Sequence, residues 1–297
     1  MKNIFYLPFW FARAKFLGQR RPLQSVVFIN DLCNLKCRHC SIYARSEPTV
    51  KTYEQIRDEL QYCFNRGSRF VDYEGGEPTL WRDGDKDLNS LVLLAKEIGF
   101  FSVTVTTNAI RPFAGLLADS IWVSLDGIGD YHDAIRGDGA FQKLSQNIAT
   151  CEHDHVCVNM VVNPLNYASV PETIEFAKEN PYIKQISINF HTPFPGTEDL
   201  FLDWEKRAHV IDQIIALKRQ GYPIMNSISG LRAMKHNKFP KECWVTNFIM
   251  IDGTRLDQCQ GYAAGVCDRC GFCMAGEMHS VMHLKPDTLL AGLHLRL

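Results

Sequence analysis

The sequence predicts an α/β fold, a partial (β/α)6 TIM-like barrel that is open on one side and followed by a small cysteine-rich extension. Six apolar segments rich in β-branched residues alternate with amphipathic segments, and each unit spans about 25 to 30 residues, which suits β-α-β crossovers. Six units are too few to close an eight-stranded barrel, so an open barrel is favoured over a flat doubly wound sheet. We therefore expect an N-terminal helix over residues 1–25, the barrel over 26–220 and the extension over 221–297.

The N-terminal segment is aromatic and basic. A helix that starts at Pro8 would place Phe9, Ala12 and Phe16 on one face, with basic residues beside them. The apolar part is too short to cross a bilayer and carries no secretory cleavage site. That face fits docking on the barrel or peripheral membrane contact through residues 1–21, and we expect docking because aromatic stripes are usually buried in a protein's own core.

The barrel is expected to consist of six strand and helix pairs. The predicted strands are 26–30, 70–74, 101–106, 121–125, 156–162 and 183–190. The predicted helices are 52–66, 87–98, 113–118, 140–151, 171–178 and 203–218. Because the carboxyl ends of barrel strands form the active-site face, polar residues at these ends should converge on one mouth. These residues are Glu74, Thr107, Asn108, Asp126, Asn163, His191 and Thr192.

A loop directly after the first predicted strand carries Cys33, Cys37 and Cys40, with spacings of four and three residues. We call this segment the three-cysteine loop. Three thiols this close can reach three corners of a 4Fe-4S cluster and leave one of its four irons open. Catalytic metal sites keep such an open position, whereas structural sites are closed. The alternative is half of a structural zinc site, completed by His39 or by a distant thiol.

The second predicted strand runs into Gly75, Gly76 and Glu77. Paired glycines let the backbone approach a ligand closely, and a carboxylate can hold an ammonium group. The CxxxCxxC loop, followed one strand later by this GGE segment, resembles the radical S-adenosylmethionine (radical SAM) superfamily. The resemblance implies that SAM chelates the open iron of a 4Fe-4S cluster and that the GGE segment binds the amino group of SAM.

The resemblance also implies further contacts to SAM. His39 would lie beside the adenine, Ser124 would contact the ribose or the carboxylate, and Arg136, twelve positions later, would hold the carboxylate. Ser124 could instead complete a strand end, and Arg136 could be a surface charge. Asp126 is either a second ribose ligand or a turn former, and His191 either touches SAM or substrate or is a satisfied core histidine. The sequence assigns no general acid or base.

Five cysteines lie close together in the C-terminal extension: Cys243, Cys259, Cys267, Cys270 and Cys273. The last three have a ferredoxin-like spacing. The segment from Cys243 to Cys259 resembles the opening of the SPASM and twitch extensions of radical SAM enzymes. Five thiols suffice for one auxiliary 4Fe-4S cluster, which leaves one thiol spare or, with three ligands, an open iron for substrate. The alternative is a structural zinc knot.

The composition excludes some classes of protein. A net charge of −1, from 32 basic and 33 acidic residues, gives no general attraction to nucleic acid. Eight of the eleven cysteines fall into the two groups with metal-ligand spacing, so we expect a reducing cytoplasm. The other three, Cys63, Cys151 and Cys157, are expected to be core residues. A tail helix carrying Leu289, Leu290 and Leu293 would pack on the barrel or, with the N-terminal aromatic residues, face a membrane, and we expect packing.

The resemblance implies an oxygen-sensitive enzyme. The reduced cluster would pass one electron to SAM, the carbon-sulfur bond would break to give methionine and a 5'-deoxyadenosyl radical, and this radical would abstract a hydrogen atom from the substrate. A flavodoxin- or ferredoxin-type protein would supply the electron. The auxiliary cluster would assist by electron transfer or by binding substrate.

We expect the substrate to be a small molecule or a lipid. Two alternatives stay open. One is a peptide-modifying radical SAM maturase that acts on a ribosomal peptide. The other is a non-catalytic iron-sulfur or zinc scaffold, in which the first cluster has a fourth protein ligand and SAM does not bind.

Overall fold

The structure is a computed structural model that describes residues 2–40 and 47–294, except for the side chains of residues 2–5, 293 and 294. Its strands are β1 (Gln24–Asn30), β2 (Phe70–Gly75), β3 (Ser102–Thr107), β4 (Ser120–Ser124), β5 (Val156–Val162), β6 (Ile183–Phe190), β7 (Thr246–Ile249) and β8 (Arg255–Leu256). The helices before the extension are α1 (Lys2–Phe16), α2 (Tyr53–Arg66), α3 (Leu88–Ile98), α4 (Asp130–Arg136), α5 (Ala140–Ala149), α6 (Val170–Glu179) and α7 (Trp204–Arg219). Those of the extension are α8 (Ile228–Met234), α9 (Gln260–Ala263), α10 (Cys273–Met282) and α11 (Pro286–His294).

The described strands form one sheet in the order β6-β5-β4-β3-β2-β1-β7-β8. All pairs from β6 to β7 are parallel, and only β8 runs antiparallel. Because each of the first six strands is added on the same side of its predecessor, right-handed crossovers place the intervening helices on one face of the sheet. The sheet stays open, with β6 and β8 as its terminal strands within the described residues. The predicted open α/β barrel is therefore confirmed.

The two faces of the sheet differ in chemistry. Side chains at alternate positions, such as Val71, Tyr73 and Val105, are fully buried against the helices in the main hydrophobic core. The positions between them on the opposite face are polar. We call this surface the polar face and define it by Asp72, Glu74, Thr106, Asn159 and Asn189.

The helix boundaries follow local capping signals. The α2 helix begins after Thr52, whose side chain accepts from the backbone of Gln55 in a capping box. The predicted helix over residues 113–118 is wrong, because these residues form turns in the structure. Conversely, α4 was not predicted, because a helix of seven residues is too short to show a clear apolar period.

The N-terminal helix α1 begins at Lys2 rather than at Pro8, which lies inside it. The helix docks on the barrel as expected, but through a different face. Trp10 and Ala14 are buried, whereas Phe9 and Phe16 are 57% and 69% exposed. The side chain of Phe5 lies outside the description. Among the helices of the described residues, none is long and apolar enough to span a membrane.

The C-terminal extension shares the sheet of the barrel. Its strand β7 pairs in parallel with β1, and Ile251 packs with Val26 and Phe28 in a second, small cluster. The tail helix α11 contacts α8 through Asp287 and Thr288. The predicted apolar contact of the tail is not made by Leu290, which is 58% exposed, and the side chain of Leu293 lies outside the description. The predicted core cysteines, Cys63, Cys151 and Cys157, are buried.

Candidate functional site

The three-cysteine loop leaves the carboxyl end of β1 and is fixed by the GGE segment at the end of β2. The backbone amides of Gly76 and Glu77 donate to the carbonyl oxygens of Asn30 and Leu32, each at 2.8 Å. A Cβ atom at Gly76 would lie 2.3 Å from the carbonyl oxygen of Leu32, and one at Gly75 would lie 2.2 Å from that of Asn30. The glycines are therefore required for two backbone segments of this protein to touch.

Glu77 is 1% exposed and satisfies donors of its own chain. Its Oε1 atom accepts from the hydroxyl groups of Thr79 and Thr107 at 2.7 Å, and its Oε2 atom accepts from the amide of Asn108 at 2.8 Å. The carboxylate thus joins the end of β3 to the GGE segment. The structure gives Glu77 this architectural role, and its contact with an amino group stays a prediction.

The three thiols of the loop interact electrostatically with one another. N–H donors face two of the sulfur atoms. Asn108 Nδ2 lies 3.8 Å from Cys33 Sγ, and Arg136 Nη1 lies 3.8 Å from Cys37 Sγ. Burial raises the pKa of Cys33 and raises that of Cys37 to about 11. Donors of this kind stabilise thiolates, so the residues fit a cluster that is bound through sulfur.

Arg136 is held by a buried ion pair. Its Nε atom donates to Asp126 Oδ2 at 2.7 Å, and Asp126 Oδ1 accepts from the amide of Val161 at 2.8 Å. Asp126 is fully buried against Arg136, and its predicted contact with a ribose stays a prediction. Arg136 is 8% exposed, which rules out the surface-charge interpretation. Asp126 therefore positions Arg136 at the three-cysteine loop.

Two histidines adjoin this ion pair. His39 Nε2 lies 3.7 Å from Asp126 Oδ2, and burial lowers the pKa of His39 to about 4. His132 Nδ1 accepts from the backbone amide of Asp126 at 3.1 Å. Burial, followed by the charge of Arg136, lowers the pKa of His132 to about 4. Both rings are therefore neutral at pH 7.

The remaining predicted contacts are placed differently. Ser124 is half-buried at the carboxyl end of β4, beside Asn159 of β5. His191 is 3% exposed, and its Nε2 atom lies 2.9 Å from the hydroxyl oxygen of Thr197. Its ring stands edge-on to that of His39, with 6.4 Å between centroids. The structure favours the interpretation of His191 as a satisfied core histidine.

The five C-terminal cysteines differ in burial: Cys243, Cys259 and Cys267 are half-buried, and Cys270 and Cys273 are buried. The neighbouring side chain of Cys243 lowers the pKa of Cys259. Cys243 also interacts electrostatically with Cys267 and Cys270. Cys273 is 1% exposed and belongs to the main hydrophobic core. Of the other four thiols, it interacts with that of Cys270 alone within the described residues.

Within residues 2–40 and 47–294, no three His, Cys, Asp or Glu side chains form a ready site for a single metal ion.

In the sequence, the residues of the polar face lie between the two groups of cysteines. They form hydrogen bonds with one another. Thr106 Oγ1 donates to Asp72 Oδ1 at 3.3 Å, and Asn189 Nδ2 donates to Asn159 Oδ1 at 2.7 Å. Burial raises the pKa of Glu74 to about 7.

Several residues that hold the site were not singled out as site residues in the sequence. Asn30 Nδ2 donates to the carbonyl oxygen of Glu77, and Asn166 Nδ2 donates to that of Asp126. Asn30 closes β1, so a polar strand end was the available signal. Of the strand-end residues predicted to converge, Thr107, Asn108 and Asp126 do so, whereas Asn163 bonds within its own turn to Asn166.

Solved structures of two proteins have a fold similar to that of this chain. SuiB of Streptococcus suis, bound to its precursor peptide SuiA, superposes with a TM-score of 0.63 and 19% identity, covering 84% of this chain and 63% of that chain. The protein anSMEcpe with bound AdoMet superposes with a TM-score of 0.60 and 15% identity, covering 89% and 82%. At these identities the likeness establishes the fold alone.

Sequence relatives are found among named enzymes. A 7,8-dihydro-6-hydroxymethylpterin dimethyltransferase of Methanocaldococcus jannaschii is 27% identical over 65% of this chain and 40% of its own length. A GTP 3',8-cyclase of Pasteurella multocida is 25% identical over 67% of this chain and 61% of its own length. The chain thus spans less than two thirds of these relatives. The sequence profile of the radical SAM superfamily matches residues 27–177, about half of the chain. The chain therefore belongs to the radical SAM superfamily.

Proposed function

We propose that this chain is a radical SAM enzyme that abstracts a hydrogen atom from a polar small molecule. One observation carries the proposal: the three interacting thiols lie on one loop that is fixed by the GGE segment and faced by Arg136. The superfamily uses a 4Fe-4S cluster together with SAM. Cys33, Cys37 and Cys40 would hold this cluster, and a flavodoxin- or ferredoxin-type protein would reduce it.

The chain's own residues would bind and orient SAM. When bound, the two cofactors supply one-electron cleavage of a carbon-sulfur bond and, through it, hydrogen abstraction. Arg136 would pair with the carboxylate of SAM, and the buried carboxylate of Asp126 keeps the guanidinium in place. Ser124 would donate to the ribose or the carboxylate. His39, neutral at pH 7, would offer an uncharged ring to the adenine.

We further propose an auxiliary 4Fe-4S cluster on Cys243, Cys259, Cys267 and Cys270. Cys243, Cys259 and Cys267 are half-buried, whereas Cys273 is 1% exposed and lies in the main hydrophobic core. Four ligands complete a cluster, so this site would transfer electrons rather than bind substrate at an open iron.

The polar face supports a polar substrate rather than a lipid. An acyl chain packed against Asp72, Glu74, Asn159 and Asn189 would strip water from carboxylates and amides without replacing their hydrogen bonds. The sequence relatives named above are, by their names, a GTP cyclase and a pterin dimethyltransferase, whose substrates are polar small molecules. A peptide substrate is the second candidate, and SuiB was solved with its precursor peptide.

The cofactors are tested on anaerobically reconstituted protein, by counting irons and recording the EPR spectrum before and after SAM is added. We expect about eight irons per chain, a signal that SAM shifts, and release of 5'-deoxyadenosine. Arg136→Lys should keep the iron count and weaken the response to SAM. A cluster whose signal SAM leaves unchanged would overturn the enzyme proposal and favour an electron-carrying scaffold.

The ligand set of the second site is tested by two matched substitutions. Cys270→Ala should lower the iron count towards about four, because a cluster loses one of four ligands. Cys273→Ala should leave about eight irons. The opposite pattern would place Cys273 in the ligand set. About four irons in the unaltered protein would remove the auxiliary cluster and favour a zinc knot or spare thiols.

The substrate class is tested with an extract of the source organism grown in heavy water, divided into a low-mass fraction and a peptide fraction. A deuterated substrate transfers deuterium to 5'-deoxyadenosine, which mass spectrometry detects. Transfer from the low-mass fraction alone supports a small molecule. Transfer from the peptide fraction alone supports a peptide maturase, and transfer from neither contradicts both.

A further inference from the structure

Arg207 of α7 is a fully buried arginine, with 0% of its surface exposed. Its Nη1 atom donates to the carbonyl oxygen of Cys270 at 2.9 Å. The guanidinium carbon lies 4.6 Å from the ring centroid of Phe190 and 5.0 Å from that of Trp204. The Nε and Nη2 atoms have no hydrogen-bond partner among the described residues. Two nitrogens of a buried cation, which carry three N–H groups, are therefore unused.

A buried guanidinium such as that of Arg207 requires a nearby anion to balance its charge. Arginine does not lose its proton in proteins, so Arg207 remains charged although burial lowers its pKa. An uncompensated buried charge is strongly destabilising, and the two aromatic rings offset only part of this cost. Within the described part of the chain, no carboxylate forms an ion pair with Arg207.

The ionisable groups next to Arg207 are the thiols of Cys270 and Cys273. A nearby carboxylate, that of Glu277, is engaged elsewhere, because it accepts from the amide of Ser227 at 2.9 Å and its charged neighbours are Lys218 and Asp287. Neutral thiols do not balance a guanidinium. Thiolates bound to a metal cluster do, since ligation deprotonates them.

We propose that Arg207 is the counter-cation of the auxiliary cluster and raises its reduction potential. This inference rests on the proposed auxiliary cluster at Cys270. A fixed positive charge stabilises the reduced cluster, which carries one more negative charge, more than the oxidised one. Hydrogen bonds to the sulfur atoms act in the same direction. The charge of Arg207 thus makes the auxiliary cluster easier to reduce.

The test is a redox titration of reconstituted full-length protein, followed by EPR, for the unaltered chain and for Arg207→Met. At the midpoint potential of the unaltered auxiliary cluster, the ratio of reduced to oxidised cluster should fall about tenfold in the variant, a shift of about 59 mV for one electron. Arg207→Lys keeps the charge and should stay within about threefold of the unaltered ratio. The cluster whose signal SAM shifts is an internal control and should not change.

Arg219→Met is the matched control, because Arg219 lies on the same helix but is exposed. It should leave both potentials unchanged. If Arg207→Met keeps about eight irons and its auxiliary cluster has an unchanged potential, the proposed role of Arg207 is refuted, but the auxiliary cluster itself is not. About four irons in the unaltered protein would instead refute the auxiliary cluster itself. If Arg207→Met does not fold, Arg207→Gln replaces it, and a potential equal to that of Arg207→Lys would count against the proposal.

Discussion

At the scale of single residues, the site is built from buried polar groups that bind one another, although His39 Nδ1 and His132 Nε2 have no hydrogen-bond partner among the described residues. Asp126 binds the side chain of Arg136, and its backbone amide is bound by His132. Both histidines beside Asp126 are neutral, so Arg136 is the cation that pairs with this carboxylate, and its other oxygen accepts from the amide of Val161. A change in the protonation of His132 would place a second cation beside Arg136.

We expect this arrangement to make stability depend on pH. The pKa of His132 is about 4 in the folded chain and about 6.5 when unfolded, so the unfolded state binds a proton first as the pH falls. The contribution of neutral His132 to the free energy of unfolding is complete above pH 6.5. It is lost on acidification, by up to about 2 kcal/mol between pH 7.5 and pH 5. Urea unfolding of metal-free protein at both pH values measures it.

The variant His132→Asn keeps an acceptor for the amide of Asp126 and should reduce this loss, while His39 supplies the remaining pH dependence. His209→Asn, at an exposed position of α7, should behave like the unaltered chain. An identical pH dependence in His132→Asn and the unaltered chain would show that His132 does not stay neutral when folded.

At the scale of elements, the ends of β1 and β2 are joined by their backbones. The GGE segment lies so close to Asn30 and Leu32 that no side chain fits between them. This contact sets the direction in which the three-cysteine loop leaves the sheet. Arg38 adds a second attachment, since its amide donates to the carbonyl oxygen of Ile135 in α4 at 2.9 Å.

Gly76→Ala should therefore displace the loop. The added Cβ atom would lie 2.3 Å from a backbone oxygen, and relieving that overlap should cost about 2 to 4 kcal/mol of unfolding free energy. The iron bound at the first site should fall with it. Gly292→Ala in α11, where nothing lies within 4 Å, should be neutral or stabilising by up to about 1 kcal/mol. Equal effects of the two substitutions in urea unfolding would refute the backbone contact.

At the scale of the whole molecule, the extension and the barrel share one sheet. β7 covers the edge of β1, and Gly271 lies so close to Phe190 that a Cβ atom there would meet its carbonyl oxygen at 1.8 Å. Cys273 enters the main core, and its amide donates to Asn189 Oδ1 at 2.8 Å. The auxiliary site is thus attached to both edges of the barrel.

We expect the chain to unfold as one cooperative unit. Amide hydrogen exchange at increasing urea, read by mass spectrometry, should give β7 and β4 the same limiting free energy of opening, because removing β7 exposes the edge of β1. Peptides from α11 serve as a comparison for local fraying and should exchange earlier. A clearly lower free energy for β7 than for β4 would mean that the extension is a separate folding unit.

The sequence by itself determined the features that are local in the chain. Strand and helix alternation predicted the open barrel, and the spacing of Cys33, Cys37 and Cys40 with the GGE segment predicted the superfamily. These signals lie in short windows, where side-chain periodicity and ligand spacing can be read directly. A helix as short as α4, with seven residues, gave no such signal.

Only the tertiary structure decided which distant residues meet. It placed Asp126 against Arg136, enclosed Cys273 in the core and set Arg207 beside Cys270. It also inserted β7 into the barrel sheet. These contacts depend on strand register and on the packing of α7 against the extension, and such long-range pairings are not encoded in the spacing of neighbouring residues.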